Sequence, residues 1–311
     1  MKSSASISSA GGCAPTDAKP CGSPRQATAN AQTVVSLEGI VRHFGRFAAL
    51  RGITAEFPAP TRATTAPAGA AGRLYLLLGE NGAGKSTLLR IMAGLLKPTR
   101  GSLSILGATD LREVASRVGY MGHAPLLYDE LNALENLRYF AALYGIDDDA
   151  RCQAAIRLVG LDPRLKRGVG QYSEGMRQRI SLARAIVHDP ELLLLDEPFS
   201  NVDVQSAREM ARLLGNMRAG GKTIFVVTHQ PAVLEAVADE ALLLSAGLLA
   251  ARERGLPEYL KFPFSQSADH PAQDNDQAQD QNQNNQNQNK DKNKARGDDG
   301  ACPNPMEGGE R

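Results

Sequence analysis

The chain has 311 residues, enough for one large domain or two ordinary ones, and its 35 Lys and Arg residues nearly balance its 34 Asp and Glu residues. The net formal charge of +1 offers no general attraction to nucleic acid, so we expect no nucleic-acid partner. The four cysteines have no metal-ligand spacing, which predicts free thiols in a reducing compartment. No stretch approaches the roughly 18 apolar residues of a membrane-spanning helix, so work at a membrane would require a partner that spans it.

We predict that residues 1–33 and 265–311 are disordered tails on either side of one folded domain, residues 34–264. The first tail is rich in Ser, Ala, Gly and Pro and the second in Asn, Gln and Asp, and neither has enough apolar side chains to offset the entropy of ordering. A lipoprotein signal peptide is the alternative for the first tail, because Lys2 and the small residues before Cys13 suggest one. The tail lacks an apolar core, so we expect no signal peptide. For the second tail, a partner-binding role is the alternative to an inert linker.

The folded domain begins with three segments that have the composition of strands, Val34–Leu37, Ala49–Phe57 and Ser102–Ile105. Residues 58–73 lie between the second of these and the next apolar run, and they contain Pro, Ala and Thr but no core residues. We expect a mobile surface loop there rather than a domain boundary, because the strands on both sides are short and depend on each other within one domain.

A phosphate-binding strand, loop and helix are predicted next. Leu74–Leu78 is uniformly apolar, as is typical of a parallel strand buried on both faces. Residues 79–86 then follow the P-loop pattern Gly-x-x-x-x-Gly-Lys-Ser, in which the glycines allow the loop to curl its N–H groups around a phosphate. Lys85 adds a charge near the β- and γ-phosphates, and the Ser86 hydroxyl is a Mg²⁺ ligand. The alternative is a chance glycine-rich turn, and the strand before it and the amphipathic pattern after it argue against that.

A second buried strand is predicted by four consecutive leucines, residues 192–195, and Asp196 and Glu197 come directly after it. Ligands bind at the carboxyl ends of strands in open α/β sheets, so Asp196 is placed to hold the Mg²⁺ of a bound nucleotide. Glu197 is placed to act as the general base on a water that attacks the γ-phosphate. The alternative is a strand that ends in two structural carboxylates, and the P-loop earlier in the chain argues against it.

Three further motifs accompany these two. Tyr172–Arg179 looks like a signature motif, Phe199–Asp203 looks like a D-loop, and Thr228–His229 ends a strand where a switch histidine would belong. With these five motifs in order, residues 34–257 resemble the ATP-binding subunits of ABC transporters. The resemblance implies an α/β fold of the P-loop NTPase class, with a RecA-like core, an antiparallel β subdomain near the N-terminus, and a helical ABC subdomain over residues 111–171.

The resemblance also implies that the chain is an ATPase whose ligands are ATP and Mg²⁺. The ATP contacts would be Gly79, Glu80, Asn81, Gly82, Ala83, Gly84, Lys85, Ser86 and Thr87, with Phe44 stacked on adenine, and the metal ligands would be Ser86 and Asp196. The catalytic residues would be Glu197 and His229. Ser173 and Gly175 of the signature would contact the ATP of a second subunit, and Asp203 would lie in the D-loop. Without the other motifs, the expected role of Phe44 would be that of a core residue. His229 would then be expected to have a structural role after its strand.

Such subunits work in pairs on a membrane permease. We therefore expect a second ABC ATPase subunit, in the simplest case an identical copy, and an integral membrane permease as partners, with the chain peripheral at the cytoplasmic face of the inner membrane. Residues 126–128 would lie on the surface that receives the permease, and local packing is the alternative for them.

A soluble ABC ATPase is an alternative for the whole chain, but such proteins usually carry two cassettes or a coiled-coil insertion. The missing Asn-Lys-x-Asp guanine motif disfavours a GTPase, and the presence of every catalytic residue type disfavours an inactive paralogue.

The motifs depart from the commonest family pattern at three places. Glu174 and Met176 replace Gly and Gln of the usual signature, and His123 occupies the Q-loop position, where an imidazole can accept and donate a hydrogen bond as an amide does. Asn132 and Glu135 form a capping-box pair for the next helix. This region resembles the haem exporter ATPases of cytochrome c biogenesis. We therefore expect a role in cytochrome c maturation by haem export, with a drug- or lipid-type exporter ATPase as the alternative.

Overall fold

The computed structural model describes residues 33–60 and 71–258 of the chain. Apart from Thr33, both predicted tails lie outside the described residues, and so do residues 61–70 of the loop predicted over residues 58–73. Of the four cysteines predicted to be free thiols, Cys152 is the one that falls within the described residues, and it is a buried free thiol.

Nine β-strands and five α-helices form the described residues, together with short 3-10 turns. The strands are β1 (Thr33–Phe44), β2 (Phe47–Pro58), β3 (Leu74–Leu78), β4 (Arg100–Ile105), β5 (Val118–Met121), β6 (Leu192–Asp196), β7 (Thr223–Val227), β8 (Glu240–Ser245) and β9 (Leu248–Arg254). The helices are α1 (Lys85–Met92), α2 (Ala133–Leu143), α3 (Asp149–Leu158), α4 (Glu174–Ile186) and α5 (Val204–Ala219). Among the described residues, none of these helices has the length and apolar character that crossing a lipid bilayer requires.

Strands β2, β1 and β4 form an antiparallel sheet in that order. A two-residue turn joins β1 to β2, and its Gly45 has a φ of +58°, a left-handed conformation that such hairpins favour and that glycine adopts without steric cost. The turn brings Phe44 and Phe47 into register as the last pair of the hairpin. This sheet is the antiparallel β subdomain that the resemblance implied.

A second sheet has the strand order β5-β6-β7-β3-β8-β9. The first five strands are parallel, and β9 returns antiparallel to β8. Every residue of β3, β6 and β7 is buried, because these strands are covered on both faces. Apolar runs in the sequence predicted β3 and β6, and the motif that ends at His229 predicted β7. The structure places the three strands next to one another.

Alternate residues of the parallel strands enter two hydrophobic cores, one on each face of the sheet. Tyr75 and Leu77 of β3 belong to the core that the sheet shares with β1, β2 and α1. Leu74, Leu76 and Leu78 belong to the core that it shares with α2, α3, α4 and α5. A mostly parallel sheet between helical layers is the architecture of α/β nucleotide-binding proteins, and the predicted fold class is confirmed.

Three aromatic rings join the two sheets. Phe57 of β2 packs edge-on against Tyr75 of β3 and Phe225 of β7, with ring centroids 4.8 Å apart in both pairs. Tyr75 and Phe225 stack on each other at 4.7 Å. Burial raises the pKa of the Tyr75 hydroxyl to about 12. Because the rings come from both sheets, the antiparallel subdomain and the parallel core share one packed interior.

The segment predicted as a helical subdomain, residues 111–171, contains α2 and α3 but also β5. β5 pairs with β6 in the parallel sheet, so its residues belong to the core and the first α-helix of the segment starts at Ala133. At the start of α2, the Asn132 side chain accepts a hydrogen bond from the Glu135 N–H at 3.0 Å, and the Glu135 side chain accepts one from the Asn132 N–H at 2.9 Å. The predicted capping box is therefore confirmed.

Candidate functional site

The carboxyl ends of three parallel strands meet at one edge of the sheet. Val227, the last residue of β7, pairs with Leu77 of β3 on one side and with Asp196 of β6 on the other. The glycine-rich loop follows β3, a carboxylate pair ends β6, and a histidine follows β7. Three of the predicted motifs are thus brought together at the edge where α/β sheets bind their ligands.

The glycine-rich loop has a backbone that other residues would not allow. Gly79 has a φ of +139°, and a Cβ there would lie 2.1 Å from the carbonyl oxygen of Leu244. Gly84 has a φ of +103°, and its Cβ would lie 2.7 Å from the carbonyl oxygen of Ala49. Both positions require glycine for their angle and for close contact with neighbouring backbone. Helix α1 begins at the next residue, so the loop ends at the positive end of a helix, a favourable place for a phosphate.

Lys85 carries its charge into the loop. Its side chain is buried, and Nζ donates hydrogen bonds to the carbonyl oxygens of Gly79 at 2.7 Å and Glu80 at 2.9 Å. A buried ammonium is costly unless it has polar partners, and here the loop itself provides them. The result is a positive charge held at the centre of a ring of backbone groups.

Ser86 and Asp196 form the pair predicted to hold a metal. The Ser86 Oγ donates to the Asp196 Oδ1 at 2.9 Å, and Asp196 is 1% exposed. The other carboxylate oxygen, Oδ2, is buried and has no hydrogen-bond partner among the described residues. An oxygen in that state fits a hard cation such as Mg²⁺, which binds through one or two carboxylates and substrate phosphates rather than an all-protein cage. The described part of the chain contains no cluster of three or more His, Cys, Asp or Glu side chains that would hold a metal by themselves.

Glu197 and His229 are in direct contact. The backbone N–H of His229 donates to the Glu197 Oε2 at 3.1 Å, and its Nε2 lies 3.3 Å from Oε1. The Glu197 side chain is 13% exposed, whereas that of His229 is 59% exposed. Burial raises the pKa of Glu197 above its ordinary value, although the hydrogen bond from His229 opposes the shift. A buried carboxylate with a raised pKa in a cleft is a group suited to proton transfer.

Most of the predicted site residues line one cavity of about 380 Å³. It is lined by Phe44, Phe47, Ala49, Asn81, Gly82, Gly84, Lys85, Ser86, Thr87, His123, Asp196, Glu197, Ser200, Val227 and His229. His123, predicted at the Q-loop position, follows β5 and has an exposed side chain. The predicted contacts Gly79, Glu80 and Ala83 belong to the same loop but do not line this cavity.

Two phenylalanines stand at the mouth of the cavity. Phe44 ends β1, and its side chain is 47% exposed. It is therefore not a core residue, which was the alternative to a role in stacking on adenine. The guanidinium of Arg42 lies 4.7 Å from the centre of its ring. Phe47, across the hairpin turn, is 60% exposed and was not predicted. The signal for it was present, because a two-residue turn places the residues on either side of it in register.

Ser173, Gly175 and Asp203 do not line the cavity. Ser173 caps α4, where its Oγ accepts from the Met176 N–H at 3.3 Å. Asp203 caps α5, where its Oδ1 accepts from the Ser206 N–H at 2.9 Å, and hydrogen bonds from Ser206 lower the pKa of that carboxyl. Both caps are exposed. Their predicted role toward a second subunit stays a prediction.

Gln178 of α4 is a further polar residue at the site, and it was not predicted. It is 1% exposed, and its Nε2 donates to the backbone carbonyl oxygen of Glu197 at 3.0 Å. A signal existed in the sequence, since Gln178 occupies the stripe of buried residues that continues at Leu182 and Ala185. An amide in an apolar stripe needs a buried partner, but the sequence alone does not identify that partner.

A second cavity, of about 330 Å³, lies between the core and the helical segment. We call it the apolar groove. It is lined by Met92, Ala93, Leu95, Leu111, Val114, Ala115, Val118, Tyr120, Leu126, Phe140, Tyr144, Arg184 and Ala185. Leu126, from the segment predicted to face a permease, is 59% exposed, and Tyr128 beside it is 44% exposed.

Asn136, buried in α2, holds the loop that carries these two residues. Its Oδ1 accepts from the Tyr128 N–H at 2.8 Å, and its Nδ2 donates to the carbonyl oxygens of Tyr128, Leu131 and Asn132 at 3.0 to 3.1 Å. Four hydrogen bonds thus join one buried side chain to the backbone of residues 128–132. The position of the loop beside the apolar groove therefore depends on a residue that was not predicted.

Comparisons with known proteins identify the family of this chain. The ABC transporter family model matches residues 69–200. The chain is 36% identical over 183 residues to the ABC transporter ATP-binding protein NatA of Bacillus subtilis (strain 168), covering 57% of this chain and 74% of NatA. It is 37% identical over 182 residues to the bacitracin transport ATP-binding protein BcrA of Bacillus licheniformis, covering 57% of this chain and 60% of BcrA.

The fold is also that of a solved ATP-binding cassette, MJ0796, in a dimeric post-hydrolysis state bound to ADP and Pi. The TM-score is 0.61 at 24% identity, over 71% of this chain and 98% of MJ0796. At that identity the likeness concerns the fold, whereas the match to NatA extends to sequence over most of that relative's length. The chain therefore belongs to the ABC transporter family and is one of its ATP-binding ATPase subunits.

Proposed function

We propose that this chain binds ATP with Mg²⁺ in the cavity described above, pairs with a second ABC ATPase subunit, and drives a separate membrane permease by hydrolysis. The observation that carries the proposal is the joint placement of Lys85, Ser86, Asp196, Glu197 and His229 around one cavity. A phosphate loop, a metal pair and a buried base in contact with a histidine are the parts that phosphoryl transfer to water needs.

In the proposed reaction a water attacks the γ-phosphorus of ATP, and the bond to the oxygen that bridges the β- and γ-phosphates breaks to release ADP and phosphate. Glu197 accepts the proton of that water, and its raised pKa makes it a stronger base than an exposed glutamate. The N–H of His229 fixes the orientation of the carboxylate through the contact to Oε2. Lys85 balances phosphate charge, and Mg²⁺ held by Ser86 and Asp196 would shield the phosphates and polarise them.

The second subunit is supported by the positions of Ser173, Gly175 and Asp203. Ser173 precedes a helix and presents a hydroxyl and N–H groups that suit a phosphate, yet it does not line the cavity of its own chain. An identical copy placed head to tail would put this signature on the ATP of the first copy. The dimeric state of MJ0796 with ADP and Pi is a precedent in a protein of the same fold.

The permease is proposed to dock on the apolar groove, which places the chain at the cytoplasmic face of the inner membrane as a peripheral subunit. Support comes from Leu95, Leu126 and Tyr144, which line the groove and have exposed side chains. Patches of this kind are typical of surfaces that another protein covers.

For the cargo we propose a drug-type compound such as a peptide antibiotic. The name of the bacitracin relative supports this alternative, which the sequence left open. Haem export, the role expected from the region around His123, receives no support from the two relatives described above. It stays a prediction on the resemblance of that region alone. With the permease complex in hand, stimulation of ATP hydrolysis by bacitracin rather than by haem would separate the two.

The test of the mechanism is Glu197→Gln, which keeps the shape of the side chain and removes the base. We expect ATP binding to persist while hydrolysis falls by roughly 10²- to 10⁴-fold, the usual contribution of a general base. ATP should then accumulate in a stable dimer. Size-exclusion chromatography in the presence of ATP would detect the dimer, and an ATPase assay would measure the loss of hydrolysis.

The matched control is Glu253→Gln, the same substitution at an exposed residue of β9. It should hydrolyse ATP at the rate of the unaltered chain and form no trapped dimer. A monomeric Glu197→Gln variant that hydrolyses ATP normally would show that Glu197 is not the base and that the two-subunit mechanism is wrong.

A further inference from the structure

We propose that Gln178 is a positioning residue that holds Glu197 in its reactive orientation and ties that orientation to helix α4. The proposal rests on the proposed role of Glu197 as the general base. The main observation behind the Gln178 proposal is the hydrogen bond of 3.0 Å from the buried Gln178 Nε2 to the Glu197 carbonyl oxygen.

Glu197 needs support from its surroundings because its backbone is unfavourable. Its φ is +57°, a left-handed conformation that residues with a Cβ rarely adopt. Its N–H donates to the carbonyl oxygen of Val227 at 2.9 Å, and its carbonyl oxygen accepts from the Ser200 N–H at 3.2 Å as well as from Gln178. Strained residues persist where the surrounding structure fixes them on several sides. The Gln178 amide is the side chain that fixes this carbonyl.

The hydrogen bonding of Gln178 indicates that the Nε2 donor is the part of the side chain that this position requires. Its Oε1 is buried and has no hydrogen-bond partner among the described residues. A buried amide with an unsatisfied oxygen stabilises a fold less than an apolar side chain of similar volume would. The reversed amide would place Oε1 against the carbonyl oxygen of Glu197, so the contact also determines which way the amide points.

Helix α4 is connected to both ends of the segment that begins at Glu197 and ends at the Asp203 cap. Gln178 holds the first end. The next residue, Arg179, donates to the Ser206 Oγ at 2.7 Å and to Glu209 at 2.9 Å in the first turns of α5, which follows the Asp203 cap. A displacement of α4, whose own cap is Ser173, therefore acts on the carbonyl of Glu197 directly.

The test uses Gln178→Met, which keeps the length and volume of the side chain and removes the donor, and Gln178→Asn, which keeps the amide but withdraws it by one methylene. We expect kcat for ATP hydrolysis to fall by about tenfold or more, because a small displacement of a reacting group has effects of that size. The KM for ATP should not change, and the thermal unfolding midpoint of Gln178→Met should not fall, because an apolar side chain of similar volume replaces a buried amide with an unsatisfied oxygen. Gln153→Met, on α3 away from the cavity, is the matched control and should keep the original kcat.

A double-mutant cycle separates positioning from a general packing role. In a Glu197→Gln background, the Gln178→Met substitution should leave the residual single-turnover rate unchanged, since no base remains to be positioned. An additional tenfold loss in that background, an unchanged kcat in Gln178→Met or in Gln178→Asn, or a loss explained by KM would overturn the proposal. A Glu197→Gln variant with normal kcat would instead contradict the proposed function.

Discussion

The nucleotide cavity and the apolar groove differ in how far each is complete within one chain. In the cavity, Lys85 is hydrogen-bonded to the loop around it, and Ser86 donates to Asp196. In the groove, the lining is mostly apolar, and Leu126 is largely exposed. The first region has its polar groups already positioned for a small charged ligand. The second has exposed apolar side chains, and we propose that the permease covers them.

The two regions should therefore respond to different ligands. A change in the cavity should alter ATP binding or hydrolysis without affecting docking, and a change in the groove should do the reverse. Helix α4 lies between them, since Gln178 contacts Glu197 and Arg184 lines the groove. The variants below test the separation, from the largest expected effect to the smallest.

Lys85→Ala should have the largest effect. Removing the ammonium leaves the phosphates without their nearest fixed charge, and we expect a loss of about 3 kcal/mol, or roughly 100-fold in ATP affinity. Isothermal titration with ATP would measure it. Lys97→Ala is the matched control, because Lys97 is exposed and does not line the cavity. Equal affinities for the two variants would contradict the proposed phosphate contact.

Leu126→Lys should weaken docking of the permease while ATP affinity stays the same. A lysine there would bring an unpaired charge into an apolar contact, with an expected cost of about 2 kcal/mol, or roughly 30-fold in affinity for the permease. Binding of the variant to the detergent-solubilised permease would measure it. Leu248→Lys on β9, at a leucine that is 46% exposed, is the control and should bind as the original chain does. Undiminished binding of the Leu126 variant would place the docking surface elsewhere.

Asn132→Ala should have the smallest effect, on stability alone. It removes the cap of α2 and with it the hydrogen bond to the Glu135 N–H, so the free energy of unfolding should fall by about 1 kcal/mol. The midpoint of urea denaturation would report it. Asn216→Ala, at an exposed position inside α5, should leave that midpoint the same or slightly higher, because alanine favours a helix interior. A lower midpoint for the control than for the cap variant would contradict the role of the cap.

The nucleotide site was largely predictable because its residues have few alternative explanations. The glycines of residues 79–84 and the runs of leucine before Asp196 fit a buried parallel sheet and a phosphate loop and little else. The rule that ligands bind at the carboxyl ends of strands placed Asp196 at the site, and the resemblance to the family placed His229 there. The structure has both at the edge that the P-loop also reaches.

Other parts depended on contacts that the sequence does not encode locally. Val118–Met121 was included in the helical segment because four residues with one glycine carry little strand signal, and its pairing with β6 decides its place. Gln178 and Asn136 are single polar residues on helices, and their buried partners are backbone groups of distant or preceding segments. Such partners become visible only when the chain is folded.

The left-handed backbone of Glu197 has a consequence for how this chain can change over time. Glycine, and to a lesser degree asparagine, would adopt a φ of +57° with less strain than glutamate does. Either residue would relieve that strain, but it would also remove the proposed base and the Oε2 that accepts a hydrogen bond from the His229 N–H. Relief of backbone strain and retention of activity are thus opposed at this one position.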